Sequence, residues 1–250
     1  MRTGAQWREL PSYYGKPTTV HGWMCKFEKA GIFDKLWKAL LEWADAWSEV
    51  TWERQYVDGS LIKSPRGGSK TGKSRLHKWR LGSNRSVLVD GHGYPLAIHL
   101  AEANAHDTKL LDATLKACPI ERPKNIVQHM FLDKGYFGKP SAEVLIRHGY
   151  QPHVDKKRVR GQAAVEVDPV IGYFLEACET SVKAGKRTGR WVVERSFAWM
   201  NSYRGLEIRR ERNARWYEAQ LKFAACMACM ACMAWYRRLS SVLLQMPNAA

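Results

Sequence analysis

Residues 190–212 read RWVVERSFAWMNSYRGLEIRRER. Val193, Phe197 and Met200 are spaced by four and then three, which puts them on one apolar stripe of a helix. Arg190, Glu194, Arg195, Asn201 and Arg204 lie off that stripe. Glu194 is the one acid in the first two turns, with Arg190 before it and Arg195 after it. A lone carboxylate among cations either forms an ion pair or acts as a ligand. The second role needs partner carboxylates elsewhere, and Asp58 and Asp133 are the candidates.

Working outward from this helix gives the fold class. Residues 55–63 (QYVDGSLIK) read as a strand with Asp58 inside it. Residues 86–90 (SVLVD) and 94–100 (YPLAIHL) are two strands joined by Gly91-His92-Gly93, a hairpin signal. A helix is predicted over 107–117, then a buried strand over 125–132 (NIVQHMFL) ending at Asp133. A helix over 141–148 and a short strand over 151–154 follow, then a basic turn over 155–160. The stretch 161–189 is poorly patterned, with a helix around 170–178. Two C-terminal helices cover 190–202 and 216–244. Residues 64–85 carry no apolar period and read as a Gly-, Lys- and Arg-rich loop. Three strands in a meander, followed by strands alternating with helices, make a mixed α/β sheet flanked by helices.

The N-terminal 1–47 looks helical. Thr18 or Thr19 is placed to cap a first helix, and Gly31 breaks it. A second helix carries Phe33, Leu36, Trp37, Leu40, Leu41 and Ala44 at helical spacing. Two short helices around a glycine turn resemble a helix-turn-helix, and equally a simple packing hairpin. The division expected is a small helical segment over 1–50 and one larger domain over 51–250.

The chain has 250 residues, with 40 Lys+Arg against 24 Asp+Glu, a net charge of +16. Charge of that sign attracts polyanions, nucleic acid first among them. Many of the 11 Trp sit beside basic residues, as in Lys78-Trp79-Arg80 and Arg190-Trp191, which suits stacking on bases, although burial accounts for most Trp. The six Cys do not form a secreted disulfide framework and point to a reducing cytoplasm. No signal peptide opens the chain, and the apolar run 223–235 is too short to span a bilayer.

In the predicted order the first and fourth strands are neighbours, which brings Asp58 beside Asp133. A helix packed across them adds Glu194. Three carboxylates meeting at one point require a cation. An all-oxygen ligand set favours Mg²⁺ or Mn²⁺. Two such ions ~4 Å apart activate a hydroxyl and steady a leaving oxygen, which is phosphodiester chemistry.

The blocks RTGAQWRELP (2–11), VDGSLIKSPRGG (57–68), LGSNRSVLVDGHGYPLAIHLAEANAHD (81–107), FLDKGYFG (131–138) and the 190–212 helix together carry a resemblance. The chain resembles bacterial insertion-sequence transposases of the DDE class, in the insertion-sequence-five group. The resemblance implies a ribonuclease-H-like, retroviral-integrase-like catalytic core. It implies Asp58, Asp133 and Glu194 as metal ligands and catalytic residues, with Mg²⁺ or Mn²⁺ bound. It implies DNA as partner, both the terminal inverted repeats of the element and the target, and a homodimer in a synaptic complex in the bacterial cytoplasm. Arg190 and Glu194 meet the Arg-x-x-x-Glu signature. The related motif has a Tyr where this chain has Arg187 and a Lys where it has Asn201, and Arg204 is placed to replace that cation. Members carry more sequence before the RTGAQW block, so the DNA-binding segment is expected to be incomplete.

Each residue also has a plainer reading. Asp58 before Gly59 suits a bulge, Asp133 a strand-end cap, and Glu194 an ion pair with Arg190 or Arg195. Asp90 opens a hairpin and reads as a turn residue, and Asp107 as the N-cap of its helix. Residues 67–74 (GGSKTGKS) match the phosphate-loop pattern, but no amphipathic helix follows. The loop therefore reads as basic backbone-binding sequence, with Lys70, Lys73 and Arg75 near Asp58. Lys156, Lys157 and Arg158 suit a solvated face and phosphate contact equally. Arg190, Arg195, Asn201 and Arg204 complete the expected DNA-contacting set. Cys226, Cys229 and Cys232 arise from an Ala-Cys-Met repeat on a helix and read as packing rather than a cluster site. Alternatives to a transposase are a remnant that binds DNA without chemistry, and a metal-dependent nuclease without strand transfer.

Overall fold

The computed structural model describes residues 3–75, 78–154, 189 and 191–245. Helix α1 (Pro17–Lys29) starts with proline at its first position, where the fixed φ and missing N–H suit a helix start. Its N-cap is therefore Lys16, not Thr18 or Thr19. Gly31 takes a left-handed φ of 65° and opens α2 (Ile32–Ala46). α2 buries Phe33, Trp37, Leu40, Leu41 and Ala44, the stripe its spacing predicts; Leu36 is exposed.

The sheet has six strands: β1 (Arg54–Lys63), β2 (Gly72–Ser74), β3 (Arg80–Asp90), β4 (Pro95–Glu102), β5 (Gln128–Leu132) and β6 (Tyr150–Val154). β3 pairs antiparallel with β1 along one edge, and with β2 and β4 along the other. β1, β5 and β6 run parallel. The order across the sheet is thus β4, β3, β1, β5, β6, with β2 continuing the β4 edge. First and fourth predicted strands are neighbours, as the sequence order suggests. Two features of the predicted loop 64–85 are corrected: it contains β2, and β3 starts at Arg80, six residues before the predicted strand. Backbone pairing rather than an apolar pattern defines both segments.

Helices α3 (Asp107–Lys116) and α4 (Lys139–Arg147) lie in the chain between the parallel strands, and α5 (Trp191–Asn201), the short α6 (Arg204–Glu207) and the long α7 (Ala214–Gln245) follow the sheet. Strand alternation sorts the core into two layers. Val57, Leu88, Met130 and Leu132 pack against α2, α3, α4 and the second half of α7. Tyr56, Val87, Val89 and Phe131 face α5, α6 and the first half of α7. Each fully buried Val or Leu contributes ~1.5–3 kcal/mol. Because α2 shares the first layer with the sheet, residue 50 is a change of secondary structure and not a break in packing. α1 has no buried residue. Cys226 and Cys229 are buried in the first layer, and burial pushes the Cys226 thiol up to about 11. That direction opposes thiolate ligation and supports packing. No helix among the described residues is long and apolar enough to cross a membrane.

Candidate active site

The parallel pair β1 and β5 fixes the placement of the two aspartates. Tyr56 is opposite Phe131, and these rings stack at 5.0 Å. Asp58 and Asp133 each come two residues further along, so they occupy matching positions on neighbouring strand paths. Period-two alternation puts Asp58 on the α5 face with Tyr56, and Asp133 follows immediately after the end of β5. β5 stops at Leu132, and Asp133 leads into a 3₁₀ turn, Lys134–Tyr136, whose Tyr136 N–H donates to the Asp133 carbonyl at 2.9 Å. Asp58 Oδ1 accepts from the Gly59 N–H at 2.8 Å.

Tyr136 reports on the charge here. Its hydroxyl is buried, with the Ser86 side chain as its hydrogen-bonding neighbour. Its pKa is raised well above the ordinary value, first by burial and then by the charges of Asp107, Asp58 and Asp133. Asp107 is therefore a third carboxylate at this end of the sheet, and its helix-capping role is corrected. His106 is the N-cap of α3, its ring accepting from the Thr108 N–H. The Asp107 carboxylate turns inward, accepts from Asn84 Nδ2 at 2.6 Å, and rests on Gly59, where a Cβ would overlap it. Local pattern favours a capping acid after a strand. The inward turn depends on a glycine 48 positions away, which no local signal marks.

Helix α5 carries Glu194 over the same face. Val192, Val193 and Met200 join the layer of Tyr56 and Phe131, and Gly189 abuts the Tyr56 hydroxyl. At the far end, Asn201 Oδ1 accepts from Arg85 Nη2 at 3.0 Å, and the same nitrogen donates to Ser60 Oγ at 3.3 Å. The Arg85 guanidinium lies 5.2 Å above Phe197. Glu194, Phe197 and Asn201 share one stripe of the helix, so the stripe that meets Arg85 and Ser60 at one end carries Glu194 nearer the other. Glu194 itself is exposed. Among the described residues no group of three His, Cys, Asp or Glu side chains is disposed to hold a metal ion. The donor chemistry nonetheless fits a hard cation, since Asp58 and Asp133 supply only oxygens.

The expected DNA-contacting residues divide. Lys73 and Arg75 are exposed at β2. Lys70 is held in an ion pair with Glu218 at 2.6 Å. Arg195 donates to the His92 carbonyl at 2.8 Å and covers the Trp191 ring. Asn201 is engaged by Arg85, and Arg204 opens α6 against Gly4. Lys156, Lys157, Arg158 and Arg190 lie outside the described residues. The phosphate-loop look-alike is explained by packing. Gly67 and Gly68 have φ of 60° and 123°, and a Cβ on Gly68 would collide with the Arg212 backbone. Two of its backbone N–H groups are already used: Gly67 donates to the Ser64 carbonyl and Ser69 to that of Arg212, both at 3.0 Å. Those two are not free to cradle a phosphate. Arg209, which the pattern did not single out, is fully buried and donates to the carbonyls of Ser69, Lys70, Glu211 and Arg212.

Residues 54–230 match the family model described as "Transposase DDE domain". The chain is 31% identical over 177 residues to a Burkholderia cepacia protein described as a transposase for insertion sequence element IS402; the alignment covers 67% of this chain and 72% of that protein. It is 26% identical over 123 residues to the transposase for insertion sequence element IS1106 of Neisseria meningitidis serogroup B, covering 49% of this chain and 37% of that one. No solved structure matches the chain significantly. The matched span begins at the first residue of β1 and takes in the whole sheet, α5 and half of α7. By sequence and by the elements it covers, the chain belongs to the DDE-domain transposases of insertion sequences.

Proposed function

We propose that this transposase cuts the ends of its insertion sequence and joins them to target DNA through Asp58, Asp133 and Glu194. The observation that supports the reading is the register of β1 and β5, which pairs Tyr56 with Phe131, two residues before Asp58 and Asp133, on the face against which α5 packs. The strand order, with an antiparallel hairpin on one side of β1 and parallel strands on the other, supports a ribonuclease-H-like core. Mg²⁺ or Mn²⁺, when bound by these carboxylates, supplies charge stabilisation for the oxygens of phosphodiester hydrolysis and transesterification. The chain's own part is to hold Asp58 by its strand, Asp133 by the turn that follows β5, and Glu194 by the packing of α5. Water first, and then the freed 3′-hydroxyl, serves as the attacking group. DNA is the substrate in both steps, with the element's terminal repeats and a target as its two sources. Because two ends must be joined, a homodimer in a synaptic assembly is the working form, acting on chromosomal DNA in the bacterial cytoplasm. The residue blocks support placing it in the insertion-sequence-five group.

The test is cleavage and strand transfer on DNA carrying the element's own ends, with Mg²⁺ or EDTA. Asp58→Asn and Glu194→Gln are expected to lower metal-dependent joining by about a thousandfold or more, while DNA binding survives. Equal joining by the variants would remove those carboxylates from the site. Tight binding without chemistry in the parent protein would instead identify a DNA-binding remnant.

A further inference from the structure

Helix α7 is apolar on its outer side as well as its inner one. From Phe223 to Tyr236 it carries no charged residue. The inner side is accounted for by Cys226, Cys229 and Met233, which sit in the first core layer. The outer side presents Phe223, Met227 and Met230, spaced by four and three, and all three are exposed. A helix that is hydrophobic all round is ordinarily a buried helix. Helix α2 has the same character. Besides its buried stripe it carries Ile32, Leu36 and Trp43, spaced by four and seven, and these too are exposed. The Phe33 and Phe223 rings lie 5.9 Å apart at one end of the two helices, and the Arg237 guanidinium lies 5.0 Å over Trp43 at the other. Each contact joins a stripe residue of one helix to the other helix, so the helices run side by side and the exposed stripes adjoin. Six side chains of roughly 200 Å² each, 36–48% exposed, leave on the order of 500 Å² of apolar surface.

That area is over half of the ~800 Å² that each partner buries in a stable interface. A phosphate backbone has nothing to bind along residues 223–236, where no cation stands. Copies of a chain with a net charge of +16 repel each other over most of their surface. This face is where two copies can meet without bringing cations together. The charges at its border are self-complementary. Lys35 and Glu42, both exposed, flank the α2 stripe on the same side, seven residues apart and opposite in sign. Two antiparallel α2 helices related by a two-fold axis set Lys35 against the partner's Glu42, and Glu42 against the partner's Lys35. Within one chain Glu42 has Lys38 at 3.5 Å, an exposed contact weak enough to be shared. We propose that the α2–α7 face binds a second copy of the chain in an antiparallel two-fold contact that forms without DNA. This goes beyond the synaptic pairing above, in which the two DNA ends bring the copies together.

The test is sedimentation velocity of the full chain under reducing conditions, without DNA or metal. Wild type is expected to sediment as a dimer at low-micromolar concentration. Met227→Glu places an unpaired charge in the contact and is expected to weaken the dimer about a hundredfold or more. Met227 is exposed in the single chain, so the variant should keep the wild-type circular dichroism spectrum. Lys35→Glu sets acid against acid and is expected to weaken the dimer about tenfold. Adding Glu42→Lys to it should restore the dimer, which a defect in folding would not do. A monomeric wild type, or a dimer indifferent to Met227→Glu, would overturn the proposal. Failure of the double variant to recover the dimer would overturn it as well, since the two-fold pairing of charges is part of it. The outcome is separate from that of the joining assay. A dimer lost in Met227→Glu, alongside a wild type that joins no DNA, would leave the contact standing and the catalytic reading wrong.

Discussion

Asp90 shows how much a single residue can be read and where the reading stops. As an acid before Gly-His-Gly it is a turn residue, and so it is: Oδ1 accepts from the N–H groups of His92, Gly93 and Tyr94, while Oδ2 accepts from Thr51. Its full burial under α7 was not legible, because the covering helix lies far along the chain. Burial pushes its pKa up to about 6 despite the backbone donors and the neighbouring His92. A carboxyl raised above its unfolded value favours folding most in its protonated form. Its contribution is therefore fully present below about 3.8 and is lost as pH rises through about 6. The shift corresponds to up to about 3 kcal/mol. Asp90→Asn removes this titration, so the stability difference between wild type and variant is expected to move with pH between 4 and 6, wild type losing ground as pH rises. Thermal melts of both proteins across that window test it; a constant difference would show that the backbone donors fully offset the burial. The same contrast holds in the candidate site. Asp58, Asp133 and Glu194 stand out by motif, whereas Asp107 and Tyr136 matter through contacts that only the folded register creates.

The loop around β2 is the element that sequence patterning misread. Its residues are Gly, Ser, Lys and Arg, so no apolar alternation announces a strand. The order comes from backbone contacts with distant partners. Arg209 N–H donates to the Lys63 carbonyl at 2.9 Å, Ser69 N–H meets the Arg212 carbonyl, and the Arg209 guanidinium collects loop carbonyls and Ser83 Oγ. A cluster of basic residues near the chain's other basic stretch reads as a solvated face, yet one of them is the clamp of the loop. α2, α3 and β5 were legible because each carries a dense apolar stripe that the core then buries. Arg209→Met is expected to destabilise the protein by about 2 kcal/mol or more, since the part-buried carbonyls of Ser69 and Glu211 lose their charged donor together. Urea unfolding measures the loss, and trypsin should cut the loop between residues 64 and 79 faster in the variant. An unchanged midpoint with an equally resistant loop would show that β2 holds itself in place without the clamp.

At the scale of the whole molecule, the excess of 16 positive charges makes DNA affinity fall with salt, because each phosphate neutralised releases counterions. The composition alone cannot say which cations do this; the structure separates them. Lys73 and Arg75 are exposed on a groove beside Gly59, while Lys70, three residues earlier, is tied to Glu218 on α7. Arg195 and Arg209 are likewise committed to carbonyls. A plot of log affinity for blunt duplex against log salt should have a slope near −0.9 for each phosphate engaged. Lys73→Ala is expected to reduce the magnitude of that slope by about one, weakening binding to all sequences alike. Lys70→Ala should leave the slope unchanged and instead free Glu218, so any affinity it loses would be independent of salt. Fluorescence anisotropy with a labelled duplex over a salt series tests both variants. If Lys70→Ala lowered the slope as much as Lys73→Ala, the ion pair with Glu218 would have to open when DNA binds. The anchored loop would then itself be part of the DNA-binding surface.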